Sequence, residues 1–121
     1  MKKLILYLWQ LPQLIVGLLL YFWYRKDVSN ESEYGNNVVF GVDDFPGGIS
    51  LGPIVLVEAG CDPKTIQHEL GHCKQSLYLG WLYLIVIGIP SLIWAIVCDD
   101  MKKYYTFYTE SWADKLGGVE R

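Results

Sequence analysis

Residues 68–72 read His68-Glu69-Leu70-Gly71-His72, and these two histidines are the only ones in the chain. On a helix, positions i and i+4 lie one turn apart on the same face, so both imidazoles can reach one tetrahedral Zn²⁺. Glu69, the next residue after His68, turns toward the open coordination position, where a carboxylate takes a proton from a bound water. The bland alternative is an amphipathic helix whose histidines sit on its polar edge. Spending both histidines of a 121-residue chain on this one spacing argues against it.

Two imidazoles leave a catalytic zinc one protein ligand short, because such sites carry three protein ligands and a water. The third should lie further along the chain. Glu110, in Tyr108-Thr109-Glu110-Ser111-Trp112-Ala113-Asp114, is the candidate. Asp114 again follows at a spacing of four, and a carboxylate there would accept the outer N–H of a ligating histidine. The competing reading is a solvated acidic turn, since Asp99, Asp100 and Glu120 are spare carboxylates nearby.

H-E-x-x-H followed by E-x-x-x-D resembles the gluzincin class of zinc metallopeptidases. HELGH with Glu110-Ser111-Trp112-Ala113-Asp114 is most similar to the membrane-embedded Ste24/HtpX-type peptidases, here in a much reduced form. The resemblance covers residues 65–75 and 108–118 and the apolar segment between. It implies Zn²⁺ held by His68, His72 and Glu110, Glu69 as catalytic base and Asp114 as the outer carboxylate. It also implies a hydrolase that cuts peptide bonds. No further histidine and no matching arginine is present to steady an oxyanion, which leaves Tyr104, Tyr105 or Tyr108 for that role.

The length leaves room for one domain, residues 1–121. Apolar residues make up 52% and aromatics 15%, a balance that points to a membrane protein. A net charge of -3 with no basic run argues against a nucleic-acid partner. Cys61, Cys73 and Cys98 are odd in number and lack CxxC spacing, so they read as free thiols and favour a reducing compartment; Cys73, at i+5 from His68, points off the ligand face and reads as packing.

Residues 4–24 carry no formal charge and are long enough to cross a bilayer. Gln10, Pro12 and Gln13 predict a kink or a polar stripe facing protein. Tyr21 to Tyr24 followed by Arg25 and Lys26 read as an aromatic belt with a basic anchor. The stretch is long for a signal peptide and lacks a small-residue cleavage site, so a retained transmembrane helix is expected. Residues 27–37 are polar and read as a loop. Residues 38–40 and 49–57 flank a turn at 43–48 and predict a β-hairpin over 38–57, with the Pro53 strand at an edge. An extended peptide could pair with edge strand 49–57 over the metal; a small sheet that only covers the site fits the pattern equally well. Asp62-Pro63 then starts the zinc helix, 62–88, with Thr65, His68, His72, Gln75 and Leu79 on one face.

Residues 77–97 are again uncharged, yet one crossing there would part His72 from Glu110. A turn at Gly88-Ile89-Pro90 resolves the conflict. His68 and His72 lie 21 and 17 residues before Ile89 and Glu110 lies 21 after it, so two antiparallel helices would bring them level. The return helix is then 91–116, with the hairpin tip in the bilayer.

The expectation is a mainly α membrane protein: a transmembrane helix, a β-hairpin and a helical hairpin. Its function would be that of a membrane-bound zinc metallopeptidase acting on a peptide or membrane-protein substrate, in contact with the lipid bilayer and small enough to form a homo-oligomer. Lys2 and Lys3 oppose Arg25, Lys26, Lys74, Lys102 and Lys103 across that helix, which puts the active site on the cytoplasmic side of the cell (inner) membrane. Two other classes stay open: a scaffold whose structural zinc has four protein ligands, and a zinc hydrolase of a small molecule or lipid.

Overall fold

Residues 38–42 and 54–57 are apolar without alternation, the pattern of strands covered on both faces. They form the middle of the protein. The computed structural model describes residues 2–35, 37–45 and 47–120. Two short helices, α1 (Lys2–Trp9) and α2 (Leu11–Tyr24), precede four strands: β1 (Val28–Tyr34), β2 (Asn37–Val42), β3 (Gly48–Leu51) and β4 (Ile54–Glu58). Helix α3 (Pro63–Leu79) carries HELGH. A 3-10 turn (Gly80–Leu82) and a π-helical turn (Leu84–Gly88) lead into α4 (Ile89–Val97), α5 (Met101–Tyr104) and α6 (Tyr108–Gly117).

The sheet has the order β1-β2-β4-β3, with β2 and β4 parallel and the two outer pairs antiparallel. Phe40, Val42, Ile54 and Leu56 point to one side, with Phe45, and are covered by Leu14, Leu20, Tyr21 and Tyr24 of α2. Val39, Val55 and Val57 point to the other and meet Cys73, Ile66 and Leu70 of α3. Two helices thus sandwich one sheet, and β3 is the free edge beside the HELGH helix.

This α/β architecture overturns the expected mainly α fold built on a transmembrane helix. Among the described residues no single helix is long and apolar enough to cross a membrane. The apolar run 4–24 is interrupted at Gln10, and its second half is used to cover the sheet: Gly17 lies so close to Leu51 and Ile54 that an added methyl would stand 3.1 Å from the Leu51 side chain. The expected hairpin over 38–57 is also corrected. Residues 49–57 hold two strands, folded back at Gly52 (φ +67°) and Pro53, and β2 runs parallel to β4 instead of returning to it. Pro53 therefore lies in a turn, and Pro46 of the expected 43–48 turn lies outside the described residues. The polar stretch read as a loop forms β1, supported by its ladder to β2 and by the Asn30 side chain lying over Gly41.

The helical hairpin is replaced by a shallower bend placed earlier. Pro63–Leu82 and Leu84–Val97 are bent by 120°. Tyr83 sits buried at the corner and donates its hydroxyl to the Ser50 carbonyl at 3.0 Å. Pro90 falls in the first turn of α4, where a missing N–H costs little. The return path is three helices, α4, α5 and α6, in place of a single helix over 91–116.

Candidate metal centre

Close helix packing assembles the site. An added methyl on Gly71 would overlap the Ala113 carbonyl, and one on Gly117 would overlap the Gln67 carbonyl. Glycine at both crossings lets α3 and α6 touch backbone to backbone, as only residues without Cβ permit. Gly71 lies between the two histidines and Ala113 precedes Asp114, so the same contact brings the two motifs together. Asp62 caps α3 by accepting from the Lys64 N–H at 2.9 Å, with Pro63 in the first turn.

His68, His72 and Glu110 are all buried and their ligand atoms lie within 4.8 Å of one another. The Nε2 atoms of His68 and His72 each stand 3.0 Å from Glu110 Oε1. Ligands at zinc-like bond lengths in a tetrahedron stand roughly 3.3 Å apart, close to this spacing. The outer nitrogens are already committed. His68 Nδ1 donates to Asp114 Oδ1 at 2.7 Å, and His72 Nδ1 donates to Gln75 Oε1 at 2.7 Å. With Nδ1 the donor, a neutral imidazole turns its Nε2 lone pair toward a carboxylate oxygen, a repulsive meeting of three electron-pair donors. Protons or a cation must fill that space. A divalent metal fits the donor set, two imidazoles and a carboxylate, and the held Nδ1 atoms are the arrangement that orients metal-ligating histidines.

The electrostatics agree. Burial alone would lower the His72 pKa, but the Glu110 hydrogen bond and the charges of Glu69 and Glu110 outweigh it and raise it to about 9. Burial pushes the Glu110 pKa up, but hydrogen bonds from the two histidines dominate and hold it far below the usual carboxylate range. Its second oxygen accepts from the hydroxyls of Ser91, at 2.6 Å, and Thr109.

Glu69 is buried at the inner side of the centre, against β3. The Ser50 hydroxyl lies 2.9 Å from Glu69 Oε1 and 2.7 Å from the Glu69 carbonyl, and donates to one of them at a time. Gly48 leaves room for the carboxylate, since an added carbon there would stand 3.0 Å from it. Glu69 is thus held by the edge strand and not by its own helix.

Two cavities flank the centre. One, of about 280 Å³, is mostly apolar, walled by Val16, Leu51, Leu84, Ile89 and Leu92, and ends at Glu69, His72 and Glu110. The other, of about 360 Å³, is more polar, with Thr65, His68, Cys98 and Tyr105. Gly48, Glu69, Ala95 and Tyr104 border both, so a cleft passes the centre on either side with Tyr104 at its waist.

All five residues singled out from sequence, His68, Glu69, His72, Glu110 and Asp114, come together here. Of the three tyrosines, Tyr108 has its hydroxyl spent on the Val86 carbonyl, and Tyr105 lays its ring edge-on to His68 at 5.3 Å. Tyr104 is the one that borders both cavities. Burial first, then the charges of Glu110 and Glu69 and a hydrogen bond to Glu110, raise its pKa, so its hydroxyl stays a proton donor, shared with Glu110. Cys73 is packing: burial, then the Glu69 charge, pushes its thiol up to about 12. Ser50, Ser91, Thr109 and the role of Gln75 escaped the sequence reading. Only Gln75 left a signal, one turn beyond His72 on the same helix face; its amide also donates to the Thr109 carbonyl at 2.9 Å and so links the two helices. No protein-family model matches this chain, and no curated protein or solved structure is detectably similar to it.

Proposed function

We propose that this protein is a zinc-dependent metallopeptidase, with His68, His72 and Glu110 as metal ligands and Glu69 as general base. The observation that carries the reading is the convergence of both Nε2 atoms on one Glu110 oxygen, with each Nδ1 held by an acceptor and Glu69 alongside in an open cleft. Zinc bound there supplies a Lewis acid that acidifies a water and polarises a carbonyl oxygen. Asp114 and Gln75 keep the imidazoles turned toward the ion. Ser91 and Thr109 hold the far oxygen of Glu110, leaving Oε1 for the metal. The Glu69 carboxylate takes a proton from the attacking water and passes it to the leaving amine, while Ser50 steadies it. Tyr104 donates a hydrogen bond to the oxygen of the scissile carbonyl as negative charge grows there. A peptide enters along the cleft past Gly48 at the sheet edge. Pairing along the whole of β3 is precluded, because the Ser50 carbonyl is already taken by Tyr83.

The test is Glu69→Gln in zinc-loaded protein, assayed on a mixture of quenched fluorescent peptides. Zinc should remain stoichiometric while hydrolysis falls by at least ~100-fold. Undiminished hydrolysis in the variant would remove Glu69 as base. A wild-type protein that binds zinc and cleaves none of the peptides would favour a structural metal site.

A further inference from the structure

Helices α1, α2 and α4 each turn a broad apolar face outward, although α2 also lays Leu14, Leu20, Tyr21 and Tyr24 on the sheet. In α2 the buried residues are Gln13 and Gly17, while Leu19, Phe22 and Trp23 stand 66%, 58% and 80% exposed. Gln13 donates to Ser76 Oγ at 2.8 Å and to the Gly80 carbonyl at 2.9 Å, and the Ser76 hydroxyl donates in turn to Gln10, also buried. Helix α4, Ile-Pro-Ser-Leu-Ile-Trp-Ala-Ile-Val, buries no residue at all, and Ile96 is 75% exposed. A helix facing water does the reverse and hides its apolar side. Polar groups inside, hydrogen-bonded save for Gln13 Oε1, with leucines outside are the arrangement of a helix in an apolar medium.

The exposed indoles follow the same rule. Trp9 Nε1 donates to the Leu77 carbonyl and Trp81 Nε1 to the Leu8 carbonyl, both at 2.7 Å. Their N–H groups are satisfied within the protein, and the reciprocal pair ties α1 to the end of α3. These elements adjoin one another: Val16 of α2 and Ile89 and Leu92 of α4 wall the apolar cavity beside the candidate metal centre, and all three are themselves exposed. Residues 4–24 and 75–98 carry no formal charge; Arg25 and Lys26 follow the first run and Lys74 precedes the second, where anionic headgroups would meet them, while Asp99 and Asp100 close the second.

We infer that α1, α2 and α4 seat this protein in one leaflet of a lipid bilayer, with the apolar cavity opening toward the lipid. Resting on the function proposed above, this makes the substrate an apolar segment presented at the membrane surface. The fourteen residues of α2 reach about 21 Å and the nine of α4 about 14 Å, short of a hydrocarbon core of ~30 Å, so each lies in the interface without crossing.

The test uses the full chain and sucrose-loaded vesicles of phosphatidylcholine with phosphatidylglycerol. The protein should sediment with the vesicles, and brominated phosphatidylcholine should quench its tryptophan fluorescence, less so after Trp23→Phe with Trp81→Phe. Leu19→Glu with Ile96→Glu should lower partitioning roughly tenfold or more, with unchanged circular dichroism, whereas Glu33→Gln on β1 should leave it unaltered. Failure to sediment, equal partitioning of the Leu19/Ile96 variant, or a discrete oligomer whose tryptophans stay unquenched would overturn the inference. Zinc uptake measured without vesicles reports separately on the metal centre. Zinc bound without vesicle binding refutes the membrane seat alone, and vesicle binding without zinc uptake supports the seat and removes the metal centre.

Discussion

Gly71→Ala adds one methyl group, and two physical effects disagree on its sign. Alanine is the better helix former by ~1 kcal/mol, so propensity alone predicts stabilisation of α3. The added carbon, however, would overlap the Ala113 carbonyl, a backbone group that cannot rotate away. Relief requires α3 and α6 to part by on the order of 1 Å. Overpacking costs about 1–3 kcal/mol, and with backbone as the obstacle the upper end applies. The net is a loss of about 2 kcal/mol, or a melting temperature lower by roughly 6–10 °C in a chain of this size. The effect on the site is larger than that on stability. Metal–ligand distances tolerate about 0.2 Å, so a parting of the helices carries Glu110 and Asp114 out of reach of the histidines. Gly88→Ala is the control: its nearest neighbour, a Leu84 methyl at 3.3 Å, belongs to a side chain free to move. Melting curves and zinc content by mass spectrometry on both variants decide the matter. Stoichiometric zinc and undiminished melting in Gly71→Ala would refute the account of how the two motifs meet.

Glu110→Ala should purify zinc-poor and less stable, whereas Asp114→Asn should keep zinc but lose ~10–100-fold in affinity or activity, because it loosens one histidine without removing a ligand. Full zinc occupancy in Glu110→Ala would place the third ligand elsewhere. In chelator-treated protein the raised His72 pKa sets the pH dependence of stability. A folded value of about 9 against 6.5 means the contribution is complete below about pH 6.5 and is lost as pH rises through 9. Melting temperature should therefore fall across that interval, and a flat profile would show that His72 is not held protonated. Added zinc should reverse the trend, because a metal-bound His72 has already shed its proton. Tyr104→Phe should leave zinc content and melting unchanged while hydrolysis drops, and an equal rate in the variant would leave the oxyanion without this donor.

The sequence by itself determined which side chains form the candidate cluster, because helical periodicity is local. Positions 68 and 72 share a face wherever the helix is placed, and Asp62-Pro63 marks its start. Glu110 and Asp114 follow the same rule within their own helix. The apolar content of residues 4–24 and 75–98 was equally plain, but what those residues pack against was not. Composition cannot tell a helix that crosses lipid from one that lays Gly17 on a sheet and turns its leucines outward. The strand layout was hidden for a similar reason: β1 is polar, and only pairing with β2 makes it a strand, while the parallel meeting of β2 and β4 is a contact between distant residues. Tertiary structure alone decided how the two motifs join. The expected turn at 88–90 levelled the ligands by arithmetic, but the chain bends at Tyr83 and returns through three helices. Gly71 and Gly117 close the gap by letting two backbones touch, and neither glycine announces its partner. Ser50, Ser91 and Thr109 came to the site the same way, from strand or helix positions whose local spacing carries no mark of it.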